Sequence, residues 1–217
     1  MADKSFQNYT ERHIVWYGHS AFKITAESGA VLYIDPFRLP SGTGEADVIL
    51  ISHEHYDHYD PQLIKGLRKS RSTVIVPRGM AYDGLQGMKL GETVQAGPFR
   101  VTGIPAYNIN KNFHPQVQYW LGYLIEVDGV RIFHAGDSDN IPEWKGMKPD
   151  IALLPVGGTY TMDVAEAAKA VAALGAELAI PMHYGSIVGV KEDGVHFAAL
   201  LKPGQGLVLT PHCPVKN

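Results

Sequence analysis

His53-Glu54-His55-Tyr56-Asp57-His58 sets the reading of this chain, because four side chains that bind metals well, His53, His55, Asp57 and His58, fall within one short loop. The run follows Asp47-Val48-Ile49-Leu50-Ile51, a brief β-branched apolar stretch that reads as a buried strand. The ligands therefore sit at that strand's C-terminal end. Alternate side chains of an extended segment share a face, so His53 and His55 can close on one ion. Asp57 and His58, past the bend, turn toward a second position. Imidazole and carboxylate suit zinc, manganese, iron or nickel, and the lack of cysteine in the cluster argues against a thiolate structural zinc site.

Two later segments extend the pattern. Gly129 to Asp137 reads as a turn, a strand and a small-residue exit that delivers a carboxylate, and Glu177 to Gly185 reads as a strand that delivers His183. Asp137 could bridge two cations with its two oxygens, the arrangement that two-metal hydrolysis uses.

Strand, HxHxDH loop, a later strand ending in Gly136-Asp137 and a still later one ending in His183 resemble the metallo-β-lactamase-fold hydrolase superfamily over nearly the whole chain. Gly18-His19-Ser20-Ala21-Phe22, Ile34-Asp35-Pro36-Phe37, His134-Ala135-Gly136-Asp137-Ser138 and Pro155-Val156-Gly157-Gly158-Thr159-Tyr160 resemble a small single-domain bacterial branch. That branch is close in style to lactonases acting on sugar-acid phosphates and to related phosphodiesterases. The resemblance implies an α+β, four-layer αββα sandwich. It also implies one ion held by His53, His55 and a further histidine, a second held by Asp57, His58 and His183, and Asp137 between them. One or two divalent ions are expected, zinc first, with manganese, nickel or iron as alternatives.

The chain departs from this pattern at the further histidine. After the strand Phe99 to Ile104 the text reads Pro105-Ala106-Tyr107-Asn108, an amide where the family has an imidazole. His19 and His114 are the two candidates to fill the gap. His19 is preferred because it leaves a short strand expected beside the metal loop, whereas His114 lies in a long polar loop and is assigned with Asn108 to substrate binding.

The expected chemistry is cleavage of an ester-like bond, in a lactone or a phosphodiester, by a metal-bound hydroxide. Asp57 would orient that hydroxide or take its proton, and His134 would donate toward Asp137 or the leaving group. Gly157-Gly158 could form an anion-binding nest, with Thr159 and Tyr160 adding hydroxyls. Two other classes compete: a metal-binding or sensing protein with a degenerate site, motivated by Asn108, and a di-iron redox protein on the same fold.

Composition narrows the field. Of 217 residues 45% are hydrophobic and 19% charged, enough to bury a core, and no linker divides residues 1–217, which read as one domain. A net charge of −3 without a Lys/Arg stripe argues against nucleic acid as a partner. The partner is expected to be a small molecule, phosphorylated or not. No apolar run is long enough to cross a bilayer, and Met1 to Arg12 is polar with no secretory core, so no membrane association and a cytoplasmic location are expected. The lone Cys213 is read as incidental.

Strands are expected at Ile14–Tyr17, Ala21–Thr25, Val31–Ile34, Val48–Ile51, Thr73–Val76, Phe99–Ile104, Tyr119–Val127, Val130–His134, Ile151–Leu154, Leu178–Ile180 and Leu207–Leu209. Helices are expected from Asp60-Pro61 to Lys69, with Arg68, Lys69 and Arg71 complementing its C-terminus, from Asp163 to before Gly175, and from Val195 to Leu201.

Overall fold

The computed structural model describes residues 4–81 and 84–212, so Cys213 lies outside the described residues. One six-stranded sheet runs β1 (Ile14–Gly18), β2 (Ala21–Thr25), β3 (Val31–Ile34), β4 (Ala46–Leu50), β5 (Arg68–Pro77) and β6 (Gln86–Met88) in spatial order. The other contains β7 (Thr93–Ala96), β8 (Phe99–Pro105), β9 (Leu121–Val127), β10 (Val130–His134), β11 (Ile151–Pro155) and β12 (Leu178–Met182), again in chain order. Each begins with antiparallel neighbours and ends with parallel ones, from β3 onward in the first and from β10 onward in the second.

The two-residue period of the strands decides the layers. Leu32, Ile34, Val48, Leu50 and Ile75 share a core with Phe99, Val101, Tyr123, Ile125 and Ile132 of the second sheet. Their chain neighbours Tyr33, Ile49, Val74 and Val76 point the other way, against Ile64 and Leu67 of α2 (Pro61–Leu67). On the second sheet α3 (Val164–Leu174) and α4 (Asp193–Ala199) bury Ala167, Val171, Leu174 and Phe197. This is the expected αββα sandwich. Each fully buried Leu, Ile or Phe contributes about 1.5–3 kcal/mol, offset largely by the chain entropy lost on folding.

N-caps start two of the helices where the sequence places them. The Asp60 carboxylate accepts from the Gln62 and Leu63 amides with Pro61 at the first position, and Asp163 forms a capping box with Glu166. Several expectations are corrected. The helix ends at Leu67 and not at Lys69: Arg68 is both its C-cap and the first residue of β5, which also holds Lys69 and Arg71, because pairing with β4 begins at Ala46↔Arg68 and Lys69 Nζ meets Asp47 Oδ1 at 2.6 Å. Tyr119 is left-handed (φ 52°), so β9 starts at Leu121. Leu207–Leu209 is not a strand: the pairing there is a single bridge between Ala179 and Gly206. Helix α1 (Lys4–His13) and strands β6 and β7 were not anticipated. The polar α1 segment packs Phe6 and Tyr9 against the core from beside β1 and β2.

Parallel strands leave the sheets in one direction, so Asp35 after β3, His53 after β4, Asp137 after β10 and His183 after β12 emerge at one edge, as ligand-binding loops do in open α/β sheets.

Candidate metal centre

Three sets of donor atoms lie within 4.8 Å of one another: His19, Asp57, His58 and His183; His53, His55 and Asp137; and Asp35, His53 and His58. Asp137 belongs to the second set and also approaches the first. Its Oδ2 stands 3.0 Å from His183 Nε2 and 3.8 Å from His53 Nε2, and its Oδ1 stands 3.2 Å from His58 Nε2. His58 Nε2, His183 Nε2 and Asp137 Oδ1 nevertheless make no aligned hydrogen bond, so the close atoms converge on a common point without one donating to another. Both ring nitrogens of His114 and Nδ1 of His19 are also buried without a partner among the described residues. Burying so many unpaired polar atoms is costly, and neutral imidazoles and carboxylates converging in this way fit a divalent transition metal.

The residues behind the cluster fix which nitrogen faces it. Asp35 is fully buried; it accepts from the Ser52 amide (2.7 Å), the Ser52 hydroxyl (2.6 Å) and His58 Nδ1–H (2.8 Å). With its proton given to Asp35, the Ser52 oxygen takes one from His53 Nδ1 at 2.8 Å. His53 and His58 are thereby held in the Nδ1–H tautomer with Nε2 presented inward. Trp120 packs its indole 4.5–5.1 Å from the rings of His114, His55 and His53 and shields them from solvent. Asp35, Ser52 and Trp120 were missed as site residues. Nothing local tells a strand-end Asp such as Asp35 that supports histidines from one that caps a turn.

Burial holds His114 at about 3 and His19 at about 4, and pushes His53 well below the ordinary histidine range, so each presents a neutral ring. Burial also opposes charge on His58, but Asp137 and Asp35 outweigh it and raise the group well above its usual value. Burial would raise Asp57 and Asp137, yet His19 and His58 beside the first, and His183 and His58 beside the second, hold both below the usual carboxylate range.

Several expected positions fall differently. His19 does not join His53 and His55: its Nε2 lies 3.0 Å from Asp57 Oδ2, its ring is 3.9 Å from that of His183, and its carbonyl accepts from the His183 amide. His114 is not on a loose loop. It is fully buried 4.6 Å, ring to ring, from His53. Asn108 secures it, donating its own amide to the His114 carbonyl (2.8 Å) and accepting the His114 amide on Oδ1 (3.0 Å). The Asn108 Nδ2 group is spent on the carbonyls of Asp137 and Tyr160 and on Asp139, so this residue is an anchor and not a substrate contact. The degenerate-site reading, which rested on Asn108, loses its basis.

His134 reaches no open space. Its Nε2 donates to the Ser20 carbonyl and its Nδ1 accepts from the Gly136 amide, which orients the turn carrying Asp137 and leaves no nitrogen for a leaving group. The Gly157-Gly158 nest is absent as well: the Gly158 amide donates to the Met162 carbonyl, and the Tyr160 and Thr161 amides turn back to Gly158. Gly157 has another purpose, since a Cβ there would lie 2.2 Å from the His183 carbonyl oxygen. Thr159 is exposed at a left-handed φ of 51°, while Tyr160 lines the cavity over the centre.

Residues 13–183 match the beta-lactamase superfamily domain, and the chain belongs to that superfamily. A UPF0173 metal-dependent hydrolase of Methanosphaera stadtmanae is 36% identical over 209 residues, covering 85% of this chain and 89% of the relative. A solved structure from Parabacteroides distasonis superimposes with a TM-score of 0.80 at 32% identity over 90% of each chain. Igni18, a metallo hydrolase of Ignicoccus hospitalis, does so with 0.72 at 25%, covering 90% of this chain and 93% of its own. With its buried His/Asp cluster, the chain is a metal-dependent hydrolase of this superfamily. No helix among the described residues is long and apolar enough to cross a membrane.

Proposed function

We propose that the protein cleaves an ester-like bond, in a lactone or a phosphodiester, of a small molecule, using one or two divalent ions with zinc the first choice. The observation that carries this reading is the pair of inward-facing donor sets joined by Asp137. His53, His55 and His114 would hold one ion, and Asp57, His58 and His183 the other, with His19 beside the second and Asp137 touching both. Bound there, the metal supplies a Lewis acid that polarises the scissile group and makes water acidic near neutral pH.

The chain's own residues do the positioning. Asp57, kept ionised by His19 and His58, would orient the attacking water and accept its proton. Asp35 and Ser52 keep two imidazoles in the inward-facing tautomer, and Trp120 excludes bulk water from one side. Purified protein is expected to carry one to two equivalents of transition metal, removable by a chelator, and to hydrolyse a simple lactone or phosphodiester only when loaded. Asp57→Ala should abolish turnover while the His53 set keeps its ion. Protein without metal whose melting temperature does not respond to added zinc, manganese, nickel or iron would sink the proposal.

A further inference from the structure

We infer that the group flanking the scissile bond is uncharged and apolar, so that the substrate is a small aryl or alkyl ester or lactone and not a phosphorylated sugar derivative. This rests on the hydrolase reading and narrows it. A cavity of about 260 Å³ opens over the centre. The candidate ligands form its floor, and the rest of its lining is Tyr56, Phe113, Tyr160 and Ile187. Phe113 and Tyr160 meet edge to face, 4.8 Å between ring centres at 88°, and Tyr56 is braced by Phe37 at 6.3 Å. Two of these rings are markedly exposed, Tyr56 at 68% and Phe113 at 47%, on a rim that an apolar group would cover. An engineered cavity of roughly 150 Å³ accepts benzene, so one aryl or short alkyl group fits against these rings.

Cations are missing from this wall. No lysine or arginine among the described residues lines the cavity. Lys111, two residues from Phe113, is held 2.7 Å from Asp139 and 3.9 Å from Glu166. Arg38 lies on the Phe37 ring, and Lys191 lines a different cavity, behind His19. A second phosphate seated here would shed water with no charged donor to replace it. In the reaction, water adds across the acyl C–O bond: the hydroxyl goes to the carbonyl carbon, the proton goes to the leaving oxygen, and an acid and an alcohol result.

The test compares 4-methylphenyl acetate with the same ester carrying a phosphate on its methyl group, using the metal-loaded full chain. The neutral ester should be cleaved with a kcat/KM about tenfold or more higher. Phe113→Ala and Tyr160→Ala should each raise its KM by about tenfold with metal content unchanged, while Phe113→Leu keeps most of the affinity. Equal or better cleavage of the phosphorylated ester, or an unmoved KM in both alanine variants, overturns the inference and leaves the hydrolase reading standing. If neither ester is cleaved, calorimetric binding of 4-methylphenylacetate against its phosphorylated counterpart decides the wall's preference. Tighter, Phe113-dependent binding of the unphosphorylated acid supports the inference, and tighter binding of the phosphorylated one overturns it.

Discussion

At the scale of single residues, His114 and Asn108 stand apart from the substrate-binding part expected of both. The imidazole faces the metal loop, and the amide that occupies the family's histidine position ties down the loop that brings it there. His114→Ala should therefore remove about one equivalent of metal, measured by elemental analysis after dialysis. Asn108→Ala should weaken metal binding less but cost about 1–3 kcal/mol of stability, because the His114 amide and two buried carbonyls lose their partner. Full metal content in the His114 variant would return that residue to the substrate side. Asp35 carries a second expectation. Asp35→Ala frees the His58 ring and the Ser52 hydroxyl that orients His53, so metal affinity should fall about 10–100-fold in a competitive chelator titration.

At the scale of elements, the strand ends aim the donors, and the backbone bears the cost. His19, Asp35 and His183 all adopt left-handed backbone angles, φ 51°, 43° and 58°, each costing about 1–3 kcal/mol for a residue with a side chain. Such strain at three cluster residues marks where packing serves the site over local comfort. The turn after β12 tests this. It fits only because Gly157, after β11, has no side chain, so Gly157→Ala must push the His183 carbonyl away. The variant should unfold at lower urea, by roughly 1–3 kcal/mol, and lose the ion held near Asp57 before the one near His53. An unshifted denaturation midpoint with full metal content would contradict the assigned role.

At the scale of the whole molecule, the buried imidazoles couple stability to pH. In the unfolded chain His19 and His114 titrate near an ordinary value of about 6.5, while in the fold burial lowers them to about 4 and about 3. Between those limits the unfolded chain binds more protons, so the metal-free protein should lose stability as pH falls from about 6.5 toward 4. Asp57 and Asp137, also lowered, extend the loss below the carboxylate range. His58, raised, acts oppositely, and its contribution disappears as pH rises through its folded value. Urea denaturation of chelator-treated protein at pH 7.5, 6 and 5 measures the slope, and a midpoint constant across that range would remove the buried-imidazole account.

What was legible in the sequence was what neighbouring residues encode. Short β-branched apolar runs at Val48–Ile51 and Val31–Ile34 marked strands, Asp60-Pro61 and Asp163-Glu166 marked helix starts, and the HxHxDH spacing marked a metal loop. These features were sufficient for the fold class and for most of the donor residues, because each arises from local geometry. Short polar α1 and the brief strands β6 and β7 were not legible, since their stability comes from surfaces contributed by distant segments. Only the tertiary structure decided that His19 stands with Asp57 and His183, that His114 stands with His53, that His134 turns to the Ser20 carbonyl, and that Asp35 sets the tautomer of His58. Several of those pairings join loops from opposite sheets and the others join separate loops of one sheet, and which side chains meet there depends on how the strand ends converge, a long-range outcome that residue spacing along the chain does not contain.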